Sequence, residues 1–69
     1  MKTPRAIRRF IHEIEPLADR DPEHFHGSVD DLYKTVMRHI ANGELEDPKA
    51  CAMAVVEVER IKARWSACA

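Results

Sequence analysis

The chain has 69 residues, 11 of them basic and 12 acidic, for a formal net charge of −1 at pH 7. A length near 70 admits one domain and buries only about 60% of the surface that an unfolded chain exposes, so the core is thin. Near-neutrality disfavours a protein held on nucleic acid mainly through phosphates, because such domains usually gather Lys and Arg on one face.

The charged residues, 33% of the chain, are mixed in sign along it, as on a soluble surface rather than in a disordered tail. No apolar run is long enough for a membrane span or the core of a signal peptide. Cys51 and Cys68 are too few for a disulfide framework. On one helix, seventeen residues would set them roughly 25 Å apart, so free thiols in a reducing cytoplasm are expected.

Thr3-Pro4 reads as an N-cap followed by proline at the first helical position, where a missing N–H costs nothing. Ile7, Phe10, Ile11, Ile14, Leu17 and Ala18 then recur at the helical period on one face, which predicts a first helix over about 4–15. Pro16 should end or kink it near Ile14 or Glu15, with room for a short second piece from Leu17 to Arg20. Asp21-Pro22 repeats the cap-plus-proline device and predicts a single helical turn near 22–26, stopped by Gly27.

Ser28, followed by Asp30 and Asp31, sets a capping serine ahead of acids that suit the helix dipole. It predicts a second main helix over about 29–42, with Val29, Leu32, Tyr33, Val36, Met37 and Ile40 as its apolar stripe. Asn42-Gly43 ends this helix, since both residues tolerate the left-handed C-cap conformation. Asp47-Pro48 opens a third main helix over about 48–67, whose core face carries Cys51, Ala54, Val55, Val58, Ile61 and Trp65, with Cys68 at its end. Trp65 is expected to close the bundle against the first helix. No segment alternates as a strand does. The chain reads as all-α: a small three-helix bundle, residues 1–69 forming a single helical domain.

Catalytic and ligand chemistries find little support. His24 and His26, beside Glu23, could offer two metal ligands, but a closed zinc site needs four. The remaining donors, His12, His39, Cys51 and Cys68, show no metal spacing, so neither a metal nor another cofactor is expected. Ser28 is assigned as a cap, the acids mostly flank caps and prolines, and two glycines cannot build a phosphate loop. The chain is therefore not expected to be an enzyme. A helix-turn-helix is also disfavoured. The Asn42 to Asp47 link exceeds the usual 3–4-residue turn, and Pro48 to Cys51 offers base edges one lysine alone.

Two surfaces remain. Arg5, Arg8, Arg9 and His12 fall within about a third of the first helix's circumference, opposite its apolar stripe. Positive charge near a helix N-terminus opposes the dipole, so a set that is locally unfavourable points to an outside purpose: an acidic protein partner, or else a phosphate backbone. On the third helix, Ala52, Met53, Val56, Ala63 and Ala67 form a second apolar strip with Arg60 beside it. A helix with two apolar faces is either sandwiched or used for binding. These features predict a small non-enzymatic protein-interaction module. It would be homodimeric through Ala52, Met53, Val56, Arg60 and Ala63, with Arg5, Arg8, Arg9 and His12 facing an acidic protein. The alternatives are a nucleic-acid-associated transcriptional regulator using the same basic face, or a mobile-element inhibitor or adaptor of a host protein complex.

Overall fold

Proline at the first helical position recurs at three starts in the chain, and in each case the residue before it does the capping. The Thr3 side chain accepts a hydrogen bond from the Ala6 N–H at 3.2 Å and opens α1 (Pro4–Ile14). The Asp21 carboxylate accepts from the His24 N–H at 3.2 Å and opens α3 (Pro22–Ala41). The Asp47 carboxylate accepts from the Ala50 N–H at 3.2 Å ahead of α4 (Pro48–Cys68). Between α1 and α3, Pro16 interrupts the ladder and leaves α2 (Leu17–Arg20) as a single helical turn. The computed structural model describes the backbone of residues 1–68 and the side chains of residues 1–63. The expected contributions of Trp65, Ala67 and Cys68 side chains therefore lie outside the described residues.

The fold is the expected all-α three-helix bundle, with α1, α3 and α4 as its long members. Ile7, Ile11 and Ile14 of α1, Ala18 of α2, Phe25, Val29, Leu32 and Val36 of α3, and Cys51, Ala54, Val58 and Ile61 of α4 form one contiguous buried cluster. The α1 and α4 helices pack closely on each other, and α2 lies on α3. Among the described residues no helix is long and apolar enough to cross a membrane.

The structure corrects the sequence reading at the start of α3. The turn expected near 22–26 and the helix expected from 29 are one continuous helix of 20 residues, with Gly27 and Ser28 in its interior. Gly27 does not stop the helix, and Ser28 does not cap it. Phe25, 1% exposed, sits one turn before Val29 and extends the buried stripe through Leu32 and Val36. A glycine inside a helix costs about 1 kcal/mol relative to alanine. Burying a phenylalanine contributes about 1.5–3 kcal/mol, so the continuous stripe outweighs the glycine.

A second difference lies at the far end of the same helix. Met37 and Ile40, expected on the core stripe, are 63% and 47% exposed. Apolar cover at this end comes instead from Leu45 of the α3–α4 linker, which is buried, and from Met1, which packs against the cluster. Both are held in place by the N-terminal residues. The Glu46 N–H donates to the Lys2 carbonyl at 2.9 Å, His39 Nδ1 lies 3.0 Å from the Met1 carbonyl, and Lys2 pairs with Glu44 at 2.8 Å.

Candidate functional site

All five residues of the expected dimer interface on α4, Ala52, Met53, Val56, Arg60 and Ala63, are exposed, with Met53 at 64% and Val56 at 58%. Helix periodicity explains why. At 100° per residue, Ala52, Val56 and Ala63 lie about 140–180° from the centre of the buried set Cys51, Ala54, Val58 and Ile61, so packing against α1 and α3 leaves them outside. Arg60 is held beside the strip by Glu57 at 3.6 Å.

Among the described residues, Met37 and Ile40 of α3 complete the group of large exposed hydrophobic side chains. Sequence reasoning missed both as surface residues. Met37 carried a clue: its phase lies about 110° from the centre of Phe25, Val29, Leu32 and Val36, too far round for the core face. Ile40 had none, because its phase fits the core and only the covering of that end by Leu45 and Met1 leaves it outside.

The α1 face is exposed at Arg5, Arg8, Arg9 and His12. Arg9 pairs with Glu13 at 3.7 Å, one turn along the same helix. Among the described residues, neither Arg5 nor Arg8 has an ion-pair or hydrogen-bond partner. An open groove of about 610 Å³ separates this face from α4, floored by Ile11 and Ile61 and edged by Arg8, His12, Glu15, Glu57 and Arg60. The sequence reading kept the basic face and the α4 strip apart. The fold brings Arg8 and His12 to one side of the groove and Arg60, at the edge of the strip, to the other.

Tyr33 fixes how α3 meets α4. Its hydroxyl donates to a Glu59 carboxylate oxygen, and the Lys62 ammonium lies 6.0 Å from the ring centroid. Partial burial and the neighbouring Glu59 carboxylate push the phenol up to about 12. This contact spans 26 positions of sequence, so no local pattern announces it. On the other side of α4, the Cys51 thiol is buried and donates to the Glu46 carbonyl at 3.3 Å. Burial, then Asp47 and Glu46, raise its pKa, which makes it a poor nucleophile. Among the described residues, no group of three or more His, Cys, Asp or Glu side chains could hold a metal ion. His24 sits 4.0 Å from the Asp21 carboxylate, with both side chains well exposed.

What this arrangement offers chemically is contact: an uncovered apolar strip, a basic face with two unpaired guanidinium groups, and a groove between them. In comparisons with protein-family models, with curated proteins and with solved structures, nothing matches this chain, so its function is argued from these surfaces.

Proposed function

We propose that this chain is a small non-enzymatic protein-interaction module that pairs with a second copy of itself through α4 and receives an acidic protein on the basic face of α1. The observation that carries the reading is the exposure of Met53 and Val56, 64% and 58%, on a helix face turned away from the other helices. Full burial of such side chains contributes about 1.5–3 kcal/mol each. A chain of 69 residues has little stability to spare, so covering this face by association would add to a thin core. Arg5 and Arg8 then remain on α1 as cations without internal partners, suited to carboxylates on another protein. A buried thiol at Cys51 fits a reducing compartment such as the cytoplasm.

Light scattering over a wide concentration range tests the pairing. The expected mass is twice 7.9 kDa for the native chain and 7.9 kDa for Val56→Arg. A native chain that stays at the monomer mass at every concentration sinks the proposal. For the basic face, binding of a poly-glutamate peptide and of duplex DNA is measured as salt is raised. Peptide binding that is lost in an Arg5→Glu/Arg8→Glu chain supports the acidic-protein reading. Preference for DNA with a steep fall in log affinity against log salt would favour the nucleic-acid alternative.

A further inference from the structure

We propose that Asn42 is a chemical modification site: its side-chain amide is lost through a cyclic imide formed with Gly43, and the product loosens the clasp that residues 1 and 2 make on the α3–α4 linker. This inference is independent of how the chain pairs and of what the α1 face receives.

Asn42 carries the only side-chain amide in the chain, and a glycine follows it. Both residues are exposed, and a Cβ built at Gly43 meets nothing within 4 Å, so the space that a five-membered ring needs is open. Glycine sets no side chain beside its nitrogen, which leaves that nitrogen unhindered for close approach. The Gly43 nitrogen attacks Asn42 Cγ and gives up its proton to solvent. The Cγ–Nδ2 bond breaks, and the leaving nitrogen takes up a proton and departs as ammonia. Water then opens the ring. Addition at Cγ gives aspartate, whereas addition at the Asn42 main-chain carbonyl gives isoaspartate, in which the chain runs on through Cβ and Cγ. Water is the sole co-reactant, and nothing is oxidised or reduced.

The fold slows this attack without abolishing it. Asn42 is the C-cap of α3 with ψ at −1°, which turns the Gly43 nitrogen away from the side chain. The Gly43 N–H also donates to the Ile40 carbonyl at 3.1 Å. Attack therefore waits until this last turn opens, and helix ends open at the lowest cost in a fold.

Glu44 gives the site its consequence. Its Oε1 accepts from Asn42 Nδ2 at 3.1 Å, and its Oε2 pairs with Lys2 at 2.8 Å. Lys2, then Asn42, hold the Glu44 carboxyl below its ordinary pKa. Exchanging the amide for a carboxylate replaces a hydrogen-bond donor with a like charge. Isoaspartate also adds a backbone carbon ahead of Gly43, which moves the Gly43–Ile40 and Glu44–His39 hydrogen bonds out of register. Either product loosens the linker that buries Leu45 and receives the Lys2 carbonyl at Glu46.

The test holds the full native chain at mildly alkaline pH, folded throughout by circular dichroism, beside the free peptide His39–Lys49. Trypsin releases the same segment from the chain, and its asparaginyl, aspartyl and isoaspartyl forms separate by chromatography and mass. The native chain should lose its amide roughly 5–30-fold more slowly than the peptide, a factor set by the opening of one helix end. An amide that outlasts the peptide's by more than about a hundredfold overturns the site. Asn42→Asp isolates the consequence. In that variant the Glu44 titration, followed by NMR, should move up toward the ordinary carboxylate range, and the thermal midpoint should fall. If Glu44 titrates as before and the midpoint holds, the clasp does not depend on the amide, and that half of the proposal is overturned.

Discussion

Tyr33 is the chain's single tyrosine, so its ionisation can be followed directly by absorbance. Burial and the Glu59 carboxylate push the phenol up to about 12, from its ordinary 10.0. The folded pKa is raised, so the contribution to stability is whole below pH 10 and is lost as pH climbs from about 10 to about 12. The phenolate midpoint should therefore stand near 12 in the folded chain and near 10 in urea, and Glu59→Gln should lower the folded value. An unchanged midpoint in that variant would mean that Glu59 does not hold the hydroxyl. None of this was legible in the sequence, where Tyr33 appeared only as one member of an apolar stripe. Residues fixed by local rules fared better: Thr3 caps α1 and Asp21 caps α3 as their position before proline implied.

At the scale of the element, α3 separates local preference from tertiary demand. Ser28 ahead of two acids is a good helix start, and Gly27 is a good stop, yet both lie inside one helix. The deciding quantity was the burial of Phe25, which depends on the rest of the cluster being assembled around it. A continuous α3 makes no demand that only a glycine could meet at position 27. A Cβ built there meets nothing within 4 Å, and its φ is ordinary for a helix. Gly27→Ala should therefore stabilise the fold by about 0.5–1 kcal/mol, raising the thermal midpoint by several degrees for a chain of this length. Gly43→Ala should do the opposite, because Gly43 holds a φ of 67° in the turn after α3, where a Cβ costs about 1–2 kcal/mol. Melting curves of both variants check the pair. A neutral or destabilising Gly27→Ala would argue that the helix breaks there after all. The start of α4 needed no such arbitration, since the Asp47-Pro48 cap and the Cys51, Ala54, Val58, Ile61 spacing agree.

At the scale of the whole molecule, fold and surface were not equally legible. Periodicity says which residues of a helix share a face, and that sufficed for the bundle and for the exposed α4 strip. It does not say which helices lie side by side, so the exposure of Ile40 at the covered end of α3, and the groove that brings Arg8 toward Arg60, emerged only with the fold. The proposed pairing has a thermodynamic consequence that no single residue carries. A ligand that binds only the folded state raises its stability in proportion to the logarithm of concentration, and a second copy of the chain is such a ligand. The thermal midpoint of the native chain should therefore rise across a hundredfold increase in protein concentration, whereas that of Val56→Arg should not. Added salt should change the native midpoint's concentration dependence little, because the contact made by Met53 and Val56 is apolar. The basic face should behave in the reverse manner. Arg5→Glu/Arg8→Glu replaces cations that oppose the α1 dipole with acids that suit it, so the midpoint should rise slightly and the mass stay unchanged while the salt-sensitive binding of an acidic peptide is abolished. If the same substitution lowers the mass or flattens the concentration dependence, the α1 face takes part in self-pairing, and the two surfaces are not independent.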